Sequence, residues 1–233
     1  MPFVQTVFFF LIRKATLLIL LFCAAWLAGY GLKRTDWYRN YLYQQLLKGE
    51  TEQRVIAASC LVQVGGQKQL LKGLKEEDEG VRVVARKALE FMWFNAAGEE
   101  AYHLTERAYK AAEKAEYKDA LQLLNLLVEK FPTFAEGYNR RASVYWELGE
   151  YAKSIADSEQ ALKLNPNHYG AWQGIGVCRL KMGDVAEACR CLRAALKIVP
   201  YDSVTLQSLQ RCEALLRDKP ASREDKRSNV DII

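Results

Sequence analysis

Histidine is scarce in this sequence, with only His103 and His168 among 233 residues. The most suggestive cysteine pair, Cys189 and Cys191, is spaced so that the two thiols of a helix point to nearly opposite sides, which leaves too few ligands for a zinc site. The six cysteines have no compact framework spacing, and we interpret them as apolar filler in helices. The sequence therefore predicts no metal, and it favours a reducing compartment.

Motifs for catalysis and for phosphate binding are also missing. The sequence has no glycine-rich phosphate loop and no local set of histidine, carboxylate and nucleophile. The net charge of +5 creates no basic face, because residues 1–34 carry four basic and no acidic side chains, whereas residues 99–202 carry fourteen basic and fifteen acidic ones. We therefore predict a protein that is not an enzyme, holds no cofactor and does not bind nucleic acid.

One long uncharged run is present, ATLLILLFCAAWLAGYGL at residues 15–32, with two basic residues on each side. As a helix it would be about 27 Å long, close to a hydrocarbon core of about 30 Å. The run predicts a membrane anchor within residues 1–34 and a single-pass membrane protein, with the cytoplasmic side slightly favoured for the soluble part. A cleaved signal peptide, a lipoprotein signal and a buried core helix are the alternatives.

A period of 34 residues runs through the second half of the chain. Pro132, Pro166 and Pro200 are 34 residues apart, and Gly149 and Gly183 match at the same spacing. The other matched pairs are Tyr117 with Tyr151, Tyr138 with Trp172, Ala161 with Ala195, and Leu162 with Leu196. Such a period is typical of stacked helical hairpins, because one hairpin cannot bury its apolar face alone.

These units, at 101–134, 135–168 and 169–202, resemble tetratricopeptide repeats (TPRs). The family favours an aromatic side chain at the fourth position, small ones at the eighth and twentieth, a small residue near the turn and proline at the thirty-second. The second unit has Tyr138, Ala142, Gly149, Tyr151, Ala161 and Pro166, and the third has Trp172, Gly176, Gly183, Ala188, Ala195 and Pro200. The first unit is degraded, with Leu104 in place of the aromatic. The predicted fold is all-α, a right-handed α-solenoid, with a capping helix at 203–217 and a disordered tail at 218–233.

Residues 36–95 are predicted to form four short helices in front of this array. The pentapeptide QLLKG occurs at 45–49 and again at 69–73, and each copy is followed by an acidic turn and a further helical pattern. The second of these patterns, VRVVARKAL at 81–89, resembles the V-R-x-x-A-x-x-A-L helix of HEAT-like repeats. We therefore predict HEAT-like repeats over 36–95, followed by three TPR units and their cap over 99–217.

The resemblance to TPRs implies a ligand groove on the concave side of the array. In this family the second, fifth, ninth and twelfth positions of each unit face inward. The predicted partner-binding groove therefore contains Tyr102, Thr105, Tyr109, Glu136, Asn139, Ser143, Trp146, Gln173 and Val177, and the remaining inward positions hold Ala112, Gly170 and Leu180. The alternative is that Trp146 and Tyr109 simply pack in the interior.

One sub-class of TPRs holds the C-terminal carboxylate of heat-shock chaperones in a clamp of lysine, arginine and asparagine. In this sequence Thr105, Tyr109, Gly170 and Gly174 occupy four of those places, and Arg140 occupies the fifth. The clamp is absent, so binding of chaperone tails is not predicted.

The combined prediction is a membrane-anchored scaffold or adaptor that binds a protein or peptide in its concave groove and assists assembly or recruitment at a membrane. Two other hypotheses remain open at this point. One is a helical lyase-type enzyme or a regulatory subunit of an enzyme complex, and the other is a structural module that associates with itself.

Overall fold

The computed structural model describes residues 35–217 together with Gly31. Across these residues it contains eleven α-helices and no strand. The prediction of an all-α fold is therefore confirmed for the described part of the chain. The chain divides into two compact units after Leu89, and each unit is described by itself.

The first unit contains three helices and most of a fourth. They are α1 (Asp36–Lys48), α2 (Thr51–Gln63), α3 (Gln67–Gly73) and α4 (Glu79–Phe94). The core is formed by leucines that are almost completely buried, Leu46, Leu61, Leu70 and Leu89. Neither the helices themselves nor the relatives of the chain identify HEAT-like repeats, and that assignment stays a prediction.

Arg54 connects two loops of the first unit through hydrogen bonds to Gly49 and Asp78. Its guanidinium donates to both carboxylate oxygens of Asp78, at 2.9 and 2.6 Å, and its Nε donates to the carbonyl of Gly49 at 2.8 Å. The hydrogen bond from Arg54 lowers the pKa of the Asp78 carboxyl. Asp78 also accepts a hydrogen bond from the backbone amide of Val81 at 3.1 Å, so one carboxylate anchors the start of α4.

The second unit begins with the last turns of α4, residues 90–94, and continues with seven helices. They are α5 (Glu99–Glu113), α6 (Tyr117–Lys130), α7 (Ala135–Glu147), α8 (Tyr151–Leu164), α9 (Tyr169–Lys181), α10 (Val185–Ile198) and α11 (Ser203–Arg217). Each helix packs on the next one along the chain. The first helices of successive hairpins are also neighbours, since α7 contacts both α5 and α9, and α9 contacts α11. This stack is the expected solenoid arrangement, and its handedness stays a prediction.

The three hairpins share one turn geometry. Ala115, Gly149 and Gly183 occupy the same place in the 34-residue register, and all have a positive φ of 60°, 73° and 82°. In each turn the following amide, that of Glu116, Glu150 or Asp184, bonds to a helix carbonyl five residues earlier at 2.9 Å. Glycine adopts this left-handed conformation without strain, whereas alanine does not.

Small residues bring the helices of each hairpin close together. A Cβ on Gly176 of α9 would lie 2.8 Å from Leu192 Cγ on α10, which is too close for any side chain. Ala108 and Ala142, which occupy the same place as Gly176 in the 34-residue register, are buried, and so is Ala188 on α10. The predicted small residues therefore set the helix spacing.

The described residues contradict the predicted single-pass membrane localisation, and that prediction is wrong. Among them, no helix combines the length and the apolar character needed to cross a bilayer. The longest, α4, has 16 residues and would span only about 24 Å, and it carries charged side chains such as Arg82 and Lys87. The run at 15–32 that motivated the prediction and the tail at 218–233 lie outside the described residues.

Candidate functional site

The exposed faces of α5, α7 and α9 line two open cavities in the second unit. The first, which we name the α7–α9 cavity, has a volume of about 370 Å³. The second, the α5–α7 cavity, has a volume of about 360 Å³. Ser143 and Glu147 of α7 line both cavities, so the two adjoin. We refer to them together as the groove.

The α7–α9 cavity combines two side-chain amides with one indole ring. Its lining includes Asn139, Trp146, Gln173, Gly174 and Val177. Within the part of the chain that the structure describes, the side-chain amides of Asn139 and Gln173 form no hydrogen bond, so both remain available to a ligand. The Trp146 ring is half-buried and stands 5.2 Å from the Tyr151 ring between centroids, which holds the indole in place while leaving part of it open.

The α5–α7 cavity has an apolar floor and a polar rim. Ala108, Leu124 and Val144 form the buried floor. Two acidic side chains, Glu113 and Glu147, line the same cavity and are exposed to solvent. This arrangement offers an apolar surface next to negative charge.

Tyr109 stands in the α5–α7 cavity with 48% of its surface exposed. Its hydroxyl is hydrogen-bonded to Glu113, and that bond raises the pKa of the phenol. The Arg140 guanidinium lies 5.9 Å from the centroid of the Tyr109 ring. The tyrosine is therefore held by polar partners, and its ring borders the open space.

Glu136 lies in the interior and lines neither cavity, with only 5% of its surface exposed. The Nε of Arg140 donates to its Oε1 at 2.6 Å, and the Nε2 of His168 lies 2.8 Å from its Oε2. Burial alone would raise the pKa of this carboxyl, but the hydrogen bond from His168 and the charge of Arg140 outweigh burial and lower the pKa. Glu136 is therefore an ionised structural group.

His168 reaches Glu136 as a neutral donor. Its Nδ1 accepts the backbone amide hydrogen of Ala171 at 3.2 Å, so the ring proton is on Nε2 and points at the carboxylate. The Trp93 ring stacks on the imidazole with centroids 4.9 Å apart. This stacking covers the pair from one side and explains why Glu136 is closed to a ligand.

Three of the nine predicted groove residues therefore lie outside the cavities. Besides Glu136, Thr105 is completely buried and donates its hydroxyl hydrogen to the Ala101 carbonyl at 2.7 Å. Tyr102 is half-buried and packs edge-to-face on Phe94, with ring centroids 5.2 Å apart. The residues at 90–94 cover this end of the inner face, which the repeat register alone does not reveal. The cavities are lined by the other six, Tyr109, Asn139, Ser143, Trp146, Gln173 and Val177.

The sequence reasoning missed several residues of the lining. Glu113 and Glu147 follow the predicted inward positions by one residue, and their spacing of 34 is a signal that could have found them. Tyr117 comes from α6 and Ser154 and Ser158 from α8, and a rule restricted to the first helix of each hairpin cannot find them.

The metal-binding and thiol chemistry of the described residues is limited. No group of three or more histidine, cysteine or acidic side chains in that part of the chain could hold a metal ion. Its five cysteines are free thiols. Burial raises the pKa of Cys191 and Cys212 to about 11, so both are protonated at neutral pH and unreactive.

The family model for the tetratricopeptide repeat matches residues 135–168 and 169–202. These ranges coincide with the second and third units predicted from the sequence, and the prediction of TPRs is confirmed there. The first unit, at 101–134, forms the same kind of hairpin, although the match does not extend to it.

Known relatives and solved structures contain the same repeat. A TPR repeat-containing protein of Rhizobium etli is 30% identical over 137 residues, which are 58% of this chain and 66% of the relative. Tetratricopeptide repeat protein 33 of Homo sapiens is 26% identical over 131 residues, 56% of this chain and 50% of the relative. Among solved structures, the first TPR of Spaghetti (RPAP3) bound to an HSP90 peptide has a TM-score of 0.49 and 22% identity, covering 50% of this chain and 93% of that chain. The chain spans only about half to two-thirds of the length of the two relatives.

Proposed function

Because the chain carries tetratricopeptide repeats, we propose that it is a scaffold or adaptor that holds a segment of another protein in the groove. The segment binds without being chemically changed, and its role is to bring the partner into an assembly. The observation that carries the proposal is the pair of adjoining open cavities on one face of α5, α7 and α9.

The α7–α9 cavity supplies the contacts that an extended peptide needs. The amides of Asn139 and Gln173 each offer a donor and an acceptor to the peptide backbone. Trp146 provides a large, half-exposed ring that is already held by Tyr151, so its burial by a partner requires little further ordering. The contact with the α5–α7 cavity through Ser143 and Glu147 lets one segment enter both cavities.

The proposal is tested by changing the groove without changing the core. Full-length protein carrying Trp146→Ala and Asn139→Ala should lose its captured partner in pull-down from native lysate, and its melting temperature should change little. The matched control is Trp37→Ala, which removes an indole with 65% of its surface exposed on α1 of the first unit. Equal capture by the groove variant and the Trp37 variant would rule out the groove as the binding site.

A further inference from the structure

We propose that the segment held by the groove is basic, and that one of its lysine or arginine side chains enters the α5–α7 cavity beside Glu113 and Glu147. The inference rests on the proposed function above, since it specifies the chemistry of the partner for the same groove. Three observations support it: the two carboxylates of the cavity, the ion pair that holds Arg140 on Glu136, and the apolar and aromatic side chains of the walls.

The cavity carries two carboxylates that form no ion pair of their own among the described residues, although the charge of Lys110 acts on Glu113 from the same helix. Glu113 and Glu147 both line it, one from the end of α5 and one from the end of α7. Across the described residues, neither glutamate forms an ion pair within 4 Å, although other acidic groups on the surface do so, such as Glu106 with Lys110 at 2.9 Å. Glu113 accepts only the hydroxyl of Tyr109. Both carboxylates are thus open to a cation.

Arg140 is the one basic residue on the lining of this cavity. It already forms an ion pair within the protein. Its Nε donates to Glu136 at 2.6 Å, and that carboxylate is buried. If Arg140 moved to bind an acidic ligand, Glu136 would keep only a neutral histidine beside it, and an unpaired buried charge is strongly destabilising. The charge left for a ligand is therefore negative.

The walls suit the stem of a long basic side chain. Ala108, Leu124 and Val144 form an apolar floor on which three or four methylenes can lie, as lysine and arginine stems do elsewhere. The half-exposed Tyr109 ring adds an aromatic face of the kind that attracts cations, and the Arg140 guanidinium already lies 5.9 Å from its centroid. The chain shows the same preference nearby, where Lys181 Nζ lies 6.0 Å from the centroid of the Trp146 ring.

An acidic segment fits the groove poorly for the same reasons. The lining of the α7–α9 cavity contains one charged residue, Glu147, and no basic one. An acidic peptide would place its carboxylates next to Glu147 in either cavity, where like charges repel. A basic side chain that enters the α5–α7 cavity instead meets the carboxylates of Glu113 and Glu147.

The test uses a displayed random-peptide library panned against the full-length protein. Wild-type protein should enrich peptides with lysine or arginine and deplete those with aspartate or glutamate. The double variant Glu113→Gln/Glu147→Gln should still enrich peptides, but without the basic preference. Because both glutamates are exposed and glutamine keeps their shape, the variant is expected to fold as the wild type does.

A thermodynamic cycle then assigns the effect to the cavity. In one enriched peptide, replacing the lysine or arginine by norleucine should weaken binding to the wild type by about tenfold. The same replacement should change the affinity for the double variant by less than about twofold. The matched control is Glu116→Gln, which removes a carboxylate at an exposed turn outside both cavities, and it should retain the tenfold effect.

The outcomes separate this inference from the proposed function. Enrichment of acidic peptides, or of peptides with no preference in charge, would overturn the basic partner while leaving the groove as a binding site. An equal loss on norleucine replacement in wild type and double variant would overturn the role of the two glutamates. If the wild type enriches no peptide, both the inference and the proposed function fail.

Discussion

Glu136 shows how a groove position can become a structural one. The carboxylate receives the Arg140 guanidinium at 2.6 Å and the His168 Nε2 at 2.8 Å while it is buried. The orientation of His168 is fixed by a second hydrogen bond, because its Nδ1 accepts from the Ala171 amide at 3.2 Å. The carboxylate therefore has two donors and almost no access to solvent.

Replacing Glu136 by glutamine should therefore destabilise the protein at neutral pH. A glutamine can accept from Arg140, but its amide NH₂ then faces the Nε2–H of His168, so two donors meet. We expect the free energy of unfolding to fall by about 2–4 kcal/mol, measured by urea denaturation. Glu100→Gln is the control, because it breaks a surface pair with Lys130 at 2.6 Å and should change stability little. A Glu136 variant as stable as this control would contradict the structural role.

The same variant should show a weaker dependence of stability on acid. The pKa of Glu136 is lower in the folded protein than in the unfolded chain. Its stabilising contribution is therefore complete above the unfolded value of about 4.3 and is lost as the pH falls through the folded value. Between about pH 5 and pH 3 the wild type should lose more stability than Glu136→Gln. Parallel curves for the two proteins would show that Glu136 does not titrate differently in the folded state.

At the scale of the element, the three hairpin turns form an internal comparison. Gly149 and Gly183 have the positive φ that these turns require and carry no Cβ. Ala115 has a φ of 60° although it carries a Cβ. A Cβ placed on Gly149 or Gly183 would meet no atom within 4 Å. Any difference between alanine and glycine at these turns therefore comes from the backbone and not from packing.

Ala115→Gly should raise the free energy of unfolding by about 0.5–1 kcal/mol, because relief of left-handed strain exceeds the added entropy of the unfolded chain. Gly149→Ala should lower it by a similar amount, and both changes are measurable by urea denaturation. The control is Ala156→Gly in the exposed face of α8, where the same substitution should destabilise by about 1 kcal/mol. Destabilisation by both glycine substitutions would show that Ala115 is unstrained.

The elements also show what the sequence can and cannot predict. The register of the hairpins was readable because proline and glycine punctuate it every 34 residues, at Pro166 and Gly149 for example. The burial of Thr105 and Glu136 was not readable, since the register assigns directions to side chains but does not say which other segment covers them. For Glu136 the covering segment is residues 90–94, where the Trp93 ring stacks on its partner His168 with centroids 4.9 Å apart.

At the scale of the whole molecule, a stack of hairpins needs an end that does not expose apolar surface. Helix α11 provides this end in the second unit. Its Cys212 packs with Ala188, Cys189 and Leu192 of α10, and Leu209 is partly buried on the same cluster. These four core residues are almost completely buried in the presence of α11. The last hairpin therefore depends on α11 as inner hairpins depend on their neighbours.

Shortening the chain after Asp202 should consequently expose the α10 side of this cluster. We expect the free energy of unfolding to fall by about 2–5 kcal/mol relative to a chain shortened after Arg217, because Leu192 and its neighbours lose their cover. Cys189, which is 1% exposed with α11 present, should become accessible to a thiol reagent under native conditions. Counting fast-reacting thiols by mass spectrometry measures this directly, and the half-exposed Cys60 gives a constant reference within each sample. If Cys189 stays as slow in the shorter chain as in the longer one while both remain folded, α11 does not cap the array, and the burial of the α10 cluster must come from within the third hairpin itself.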